Sequence, residues 1–574
     1  MIDKKIKRLV IIQSKKQFDH YTKNNKLSDD VLFPIGVEAI YEVDKSKFNH
    51  IRLNDFISQK RYEKAKLESE KKIDKLIDSL NFFSRKRKYS LEIGNYFSFQ
   101  LFIVIGQIHY NQFIIQSLLQ NIKIQKILLY QRENERKNFY KYRPDPDLIF
   151  GKILNLIIDD IDINFIGIKE KNDISIKNFI KQKLPNFIYK IYSFLLLKYK
   201  LSINSYFKYK LLLIGAPYDW LNLSNSESFN KIFKIDPLFY PTNFIYRSNT
   251  NNEILDILNN SITFFNKTIY DLSNFSKVIF SDLLMFEKDK EKIIKFLSPY
   301  KSIIGSVFVE PHENFIAHIA SKNNKPVYLY QHGEKGQSED ETSLYTELLY
   351  TNSYFCYSNE IKNQYNKYIG LNNLKSVHAV GSVNKAVNWN KNGSYILYAT
   401  GKWFGNGTNF PPKMDPDRRL YDAHIKILKY LNTLNSSKVI FKKNNTAFFN
   451  EIPYQDDFDN IIFEDKIPFT KLLKDAKVVI LDTPATTLVE SCTTNIPIFI
   501  LNGRTKYLPK FVRQIKKRAV FSNSPEELLI DLQNFLVKGI YKPNVKDYTY
   551  YMNYCNTENK KYNTKKIIKT LTNN

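Results

Sequence analysis

At 574 residues the chain is too long for one ordinary hydrophobic core, so two or more domains follow from length alone. Apolar residues make up 43% of it and aromatics 15%, which is ample for packed cores and excludes global disorder. The formal net charge of +28 is overwhelmingly lysine. It runs the length of the chain with abundant Asn, Ile, Tyr and Phe, as a skewed genome composition would spread it. Arg-dense reading elements, ordered basic repeats and zinc-finger spacings are absent, so a nucleic-acid partner is not expected. A diffuse positive field favours nucleotide-sugars, acidic glycans or an anionic membrane surface.

The basic N-terminus carries an apolar run of only Leu9 to Ile12, too short for a signal-peptide core, and it reads as a first strand. Residues 56–80 form a charged helix and residues 96–120 an apolar, aromatic one. Gln107, His109, Asn111 and Gln112 interrupt the latter, which makes it a buried core helix. Ile124 to Tyr130 resembles a strand. Residues 145–210 read as a helical insertion; within them the Lys-, Tyr- and Phe-rich segment Asn186 to Leu201 packs on the domain or lies in a membrane interface. No window reaches the roughly 18 apolar residues of a spanning helix. From residue 210 strands and helices alternate. Strands are expected at KLLLIG, Val278 to Phe280, Ile303 to Val309, Pro326 to Tyr330, Ser353 to Tyr357 and Val377 to Val380, with a helix at Asn314 to Ser321. The polar, turn-rich stretch Asn388 to Ser394 marks a domain boundary.

The second half restarts with a strand at Tyr395 to Ala399 and a glycine-rich loop, Gly401 to Gly407. A helix over 418–435, strands at Val439 to Phe441 and Ile461 to Phe463, and a helix from Phe469 to Ala476 follow. Lys477 to Gly503 is the most informative stretch. A buried strand, Val478 to Leu481, runs into small hydroxylated residues, Asp482 to Thr487, before a short helix and a second buried strand, Pro497 to Leu501. An anion suits the start of such a helix, although on this segment alone an ordinary N-cap is the favoured reading. Ser524 to Val537 is a helix with a capping-box start, and the Lys- and Tyr-rich end reads as a last helix and a tail. The three cysteines, Cys356, Cys492 and Cys555, form no CxxC pair, which fits a reducing cytoplasm.

The alternation implies an α/β chain with two doubly wound Rossmann-type domains facing a cleft, and an extra helical region in the N-terminal half. Ligands of such folds sit outside the carboxyl ends of the strands. There the first half offers Glu310 and Glu313, then Gln331-His332-Gly333, then Gly381 and Ser382. The second half offers Gly401 and Lys402, Lys442, Thr483, Thr486 and Thr487, Glu490, and Arg504. One half supplies carboxylates and an imidazole, the other cations and hydroxyls. A transferase needs that division: a base for an acceptor hydroxyl, and neutralisation of a leaving phosphate. Singly each residue has a plainer role, as a structural histidine, a turn glycine or a solvated lysine.

PVYLYQHGEKG, TNSYFCYSN, VHAVGS and ILDTPATTLVESCTTNIPIFIL resemble the centre and donor segment of bacterial surface-carbohydrate transferases of GT-B type. More distantly they resemble capsule 3-deoxy-octulosonate transferases and CDP-glycerol glycerophosphotransferases. The resemblance spans roughly residues 300–505. With the break at Asn388 to Ser394, the expected division is residues 1–388 as an acceptor-side domain with the insertion around 145–210, 389–540 as a nucleotide-donor-binding domain, and 541–574 as a C-terminal helix and tail. The resemblance implies His332 as the catalytic or acceptor-side histidine; on the strand-end reading Glu313 or Glu310 is the rival base. Gln331, Gly333, Gly381 and Ser382 fall on the acceptor side. The resemblance implies Thr483, Thr486 and Thr487 as holding the donor phosphate, with Glu490 near the ribose; Gly401, Lys402, Lys442 and Arg504 are expected to join them as strand-end residues. Relatives often carry a His-Pro where Phe441-Lys442-Lys443-Asn444 stands here, which weakens the glycerophosphate-polymer alternative. No Asp-x-Asp metal motif occupies a convincing loop, so metal-independent transfer from a nucleotide-sugar substrate, with no tightly bound cofactor, is expected. The expected place is the cytoplasm, at the inner face of the cytoplasmic membrane. A CDP-polyol phosphotransferase and a non-catalytic basic glycan- or nucleic-acid-binding protein are the alternatives.

Overall fold

The computed structural model describes residues 5–46, 48–133, 145–158, 160–169, 207–238, 250–264, 267–268, 270–333, 335, 337, 344–371, 373–382, 387–401, 417–435, 437–444, 452–502, 507–554 and 560–573. Three parallel sheets organise the described residues. The first comprises β1 (Lys5–Ile12), β2 (Asp30–Pro34), β3 (Lys123–Arg132) and β4 (Asp162–Ile168), in the order β2-β1-β3-β4. The second begins with β5 (Tyr209–Leu213) and β6 (Phe233–Pro237). After the two-residue strands β7 (Thr263–Phe264) and β8 (Lys267–Thr268), which pair only with each other, it continues with β9 (Ser302–Gly305), β10 (Val327–Tyr330), β11 (Ser353–Cys356) and β12 (Ser376–Ala379). Its order is β6-β5-β9-β10-β11-β12. The third comprises β13 (Tyr395–Ala399), β14 (Lys438–Lys442), β15 (Ile461–Glu464), β16 (Ala476–Leu481), β17 (Ile498–Leu501) and β18 (Val520–Ser522), in the order β15-β14-β13-β16-β17-β18.

The doubly wound α/β character expected from the sequence is present. The third sheet has the dinucleotide-binding order, three strands running one way from β13 and three the other, so its switch point lies between β13 and β16. The second sheet has the flavodoxin-type order, with its switch point between β5 and β9. Burial explains the apolar runs: Val478 to Leu481 and Ile498 to Ile500 are covered on both faces, as parallel strands flanked by helices must be.

The structure adds a sheet. The first 168 residues contribute four parallel strands and the long helices Gln59–Lys86 and Ser98–Asn121. Part of the expected helical insertion is the helix Pro146–Ile157 followed by β4; residues 170–206, including Asn186 to Leu201, lie outside the described residues. Val278 to Phe280 is not a strand. It belongs to the helix Ser273–Leu297, whose buried Phe275, Ile279, Leu283 and Phe286 recur at helical spacing. The C-terminal residues form two helices, Thr549–Tyr554 and Lys560–Asn573. Among the described residues no helix is long and apolar enough to cross a membrane.

Candidate functional site

At the switch point of the third sheet, Thr400 and Gly401 follow β13, and Asp482 and Thr483 follow β16. The Gly401 amide donates to Asp482 Oδ1 at 2.6 Å, which ties the two strand ends together. A Cβ on Gly401 would stand 2.1 Å from Thr483 Oγ1, so only glycine permits this approach. Thr483 Oγ1 is buried and has no hydrogen-bond partner among the described residues. The helix Thr486–Cys492 follows at once. Its N-cap, Ala485, offers no side-chain acceptor, so the first-turn amides receive no side-chain cap. Thr486 is exposed and Thr487 partly so. Glu490, on the same helix, is pushed up to about 7 by burial.

The second sheet meets this edge through the turn after β10. Gln331 is fully buried. Its Nε2 donates to the Gly333 carbonyl at 2.9 Å and its Oε1 accepts from the Tyr357 amide at 2.9 Å. Gln331 therefore braces the turn on which His332 stands. Gly333 has φ +65°, and a Cβ there would lie 3.0 Å from Thr486 Oγ1. The His332 turn thus abuts the Thr486 hydroxyl, although the two are far apart in sequence. Burial, aided by the charge of Lys335, lowers the His332 imidazole to about 4, so it is neutral at physiological pH. Lys335 itself is anchored: its ammonium pairs with the buried Glu347 carboxylate at 2.5 Å, and Glu347 also accepts from the Tyr354 hydroxyl at 2.6 Å.

The other expected residues are placed as follows. Glu310 and Glu313 begin the helix Pro311–Lys322 as a capping box, with Glu313 Oε2 accepting from the amides of Val309 at 2.9 Å and Glu310 at 3.0 Å. Glu313 also lies at the switch point of the second sheet, 3.6 Å from where a Cβ on Gly215 (φ +68°) would stand. Gly381 and Ser382, beyond β12, are covered by the C-terminal helix: Asn563 Nδ2 donates to the Ser382 carbonyl at 3.0 Å, and its side chain fills the space beside Gly381. The Lys442 ammonium is turned toward the loop after β15, donating to the Asp465 carbonyl at 2.8 Å. Lys402 and Arg504 lie outside the described residues, as does most of the glycine-rich loop.

Sequence reasoning missed His424. It lies on the inner face of the helix Asp417–Asn432, and its Nε2 is 2.6 Å from Asp482 Oδ2. A lone histidine in an amphipathic helix carries no signal of that partnership.

No family model matches this chain, and no curated protein matches it by sequence. Among solved structures it is similar to TarM of S. aureus in complex with fondaparinux, α-GlcNAc-glycerol and UDP. That match has 14% identity over 50% of this chain and a TM-score of 0.33, and the chain spans 58% of TarM's length. It is also similar to the lipopolysaccharide outer core galactosyltransferase WaaB, at 12% identity over 63% of this chain and 99% of that one, with a TM-score of 0.36. The calicheamicin glycosyltransferase CalG4 is 9% identical over 65% of this chain and 99% of its own, with a TM-score of 0.34. Similarity this low leaves the activity to be argued from the chain's own residues.

Proposed function

We propose that the chain is a metal-independent glycosyltransferase of GT-B type. It moves a sugar from a nucleotide-sugar to a growing bacterial surface polysaccharide or lipid-linked glycan, at the cytoplasmic face of an anionic membrane. One observation carries the reading: the His332 turn lies against Thr486, beside the point where the strand order of the third sheet reverses. Base and anion-binding groups then meet at one edge.

On this reading the neutral His332 imidazole takes the proton of an acceptor hydroxyl as that oxygen attacks the anomeric carbon. The bond to the nucleotide diphosphate breaks, and the departing charge meets the hydroxyls of Thr483, Thr486 and Thr487. Lys402 and Arg504 supply the countercharge. Glu490 accepts from ribose hydroxyls once ionised. Glu313 is a weaker candidate base than His332, because two backbone amides already occupy one of its oxygens.

The test begins with thermal shifts against UDP, CMP, CDP, GDP and dTDP, on wild type and on a Thr486→Ala, Thr487→Ala variant. A nucleotide at a hundredfold excess over its dissociation constant stabilises the folded state by about 2.7 kcal/mol. Stabilisation by one nucleotide, lost in the variant, is expected; no stabilisation by any of them removes the donor site. With the donor known, His332→Ala is expected to lower kcat by roughly 10²–10⁴ with little change in donor affinity. Unchanged turnover excludes His332 as the base, and a product joined through phosphate makes the enzyme a polyol phosphotransferase instead.

A further inference from the structure

A fully buried polar assembly lies directly under the β13–β16 crevice. His424, Tyr398 and Tyr454 are inaccessible to solvent, and Asp482 is nearly so. Asp482 Oδ2 lies 2.6 Å from His424 Nε2, and Asp482 Oδ1 accepts from the Gly401 amide at 2.6 Å. His424 Nδ1 lies 2.6 Å from the Tyr454 hydroxyl. Thr400 Oγ1 is 3.0 Å from Nε2. The rings of Tyr398 and Phe441 meet the imidazole edge-on, at centroid distances of 5.5 and 5.2 Å, and fix its plane.

A carboxylate only accepts, so His424 Nε2–H donates to Asp482 Oδ2, while Nδ1 is within hydrogen-bond distance of the Tyr454 hydroxyl. Burial alone would raise the Asp482 carboxyl, but the hydrogen bond and electrostatic pull of His424, with hydrogen bonds from Gly401 and Thr400, hold it below the usual carboxylate range. The result is an anion, turned inward, beside the groups proposed to receive a phosphate. Both its oxygens are engaged by protein, so neither reaches a substrate. Packing does not require such a pair, since apolar residues of the same volume fill a core with a smaller desolvation penalty. What the pair does, and an apolar pair could not, is hold the Gly401 N–H at a set distance from β16. Thr483 follows Asp482 in the chain and touches Gly401, so the same bonds set the width of the crevice.

We propose that His424 is a positioning residue: by holding Asp482 it fixes the Gly401 amide, and with it the spacing of the β13 and β16 ends between which a nucleoside diphosphate binds. The ligand half of this statement rests on the function proposed above; the positioning half does not.

The experiment uses the full-length chain and its His424→Phe, His424→Gln and Asp482→Leu variants. Hydrogen exchange is followed in peptides spanning 395–401 and 478–488 without ligand, and titrations with UDP, CDP, GDP and dTDP run in parallel. His424→Phe is expected to speed exchange in both peptides by about tenfold, and to weaken the bound nucleotide by a similar factor. His424→Gln keeps a donor for Asp482 and is expected to stay within about threefold of wild type. A histidine that merely fills space predicts the reverse ranking, because phenylalanine fills the site and glutamine does not. Wild-type exchange in His424→Phe, or the reverse ranking, overturns the proposal. If His424→Phe fails to fold, Asp482→Leu, of similar size but unable to accept from Gly401, is expected to lose protection at Gly401, and retained protection there is equally fatal. Should wild type bind none of the four nucleotides, the donor reading falls while the exchange data still decide whether His424 positions Gly401.

Discussion

Glu490 is the residue at which site chemistry and stability are most directly in conflict. Its carboxyl is largely buried and is raised from an ordinary 4.5 to about 7 by desolvation. Between those two values the folded protein holds more protons than the unfolded chain, so stability falls as pH rises from 4.5 and levels off above 7. The shift corresponds to on the order of 3 kcal/mol. Glu490→Gln removes the charge and keeps the shape. The variant is therefore expected to match wild type near pH 4.5 and to exceed it by up to about 3 kcal/mol at pH 8 in urea melts. Parallel pH dependences for the two proteins would show that the carboxyl titrates normally. The penalty is intelligible at a nucleotide site, where an acceptor kept dry gains most when a ligand hydroxyl reaches it. His332 shows the complementary shift, toward the neutral imidazole.

Among the elements, the helix Val37–Ser46 links the added first sheet to the third. Its Val37, Ile40 and Tyr41 join the apolar cluster that contains Tyr398, Tyr421, Phe441 and Tyr454. At the rim of that contact Asp457 receives the Tyr41 hydroxyl at 2.6 Å and the Lys45 ammonium at 2.9 Å. The exposed ion pair contributes little, and the buried apolar face much more. Ile40→Asp is thus expected to destabilise by about 2–5 kcal/mol, whereas Lys45→Ala costs less than about 1 kcal/mol. Equal effects in thermal melts would mean that the rim, not the apolar face, holds the contact. This element also shows where the sequence was legible. Apolar strands such as β1, β3, β10, β13, β16 and β17 announced themselves by composition, and the ends of β10, β13 and β16 drew attention to His332, Gly401 and Thr483. Short mixed strands such as β2 (DVLFP) and β6 (FKIDP) did not. Val278 to Phe280 passed for a strand because three adjacent apolar residues fit either period. The first sheet stayed hidden because β1 pairs with β3 across the two long helices. His424 stayed hidden because its meaning lies in a partner 58 residues away.

The whole molecule is closed by its C-terminal segment, which ties the second unit to the third. Tyr550 and Tyr554 pack against Phe511 of the third unit, with ring centroids at 5.5 and 5.8 Å, while the Tyr550 hydroxyl accepts from Gln337 at 2.8 Å. The helix Lys560–Asn573 then lies on the second unit. Asn563 reaches the Ser382 carbonyl, and Lys301 donates to the Thr572 carbonyl at 3.0 Å. Ile567 and Leu571, wholly buried, form its apolar face. Since Gly333 and Thr486 belong to different units, this tie and the Val37–Ser46 contact help determine whether the proposed base and the proposed anion site stay in register. Ile567→Ala and Leu571→Ala are each expected to destabilise by about 2–5 kcal/mol. Because the loss falls on a contact between units, calorimetry is expected to show the single unfolding transition separating into two. The exchange of Gly333 and of the first turn of Thr486–Cys492 should accelerate below the main transition, while the β13–β16 crevice, internal to one unit, keeps its protection. A lowered but still single transition, with Gly333, Thr486 and Gly401 loosening together, would mean that the three sheets unfold as one body and that the C-terminal helix stabilises the chain without governing the meeting of the two halves of the site.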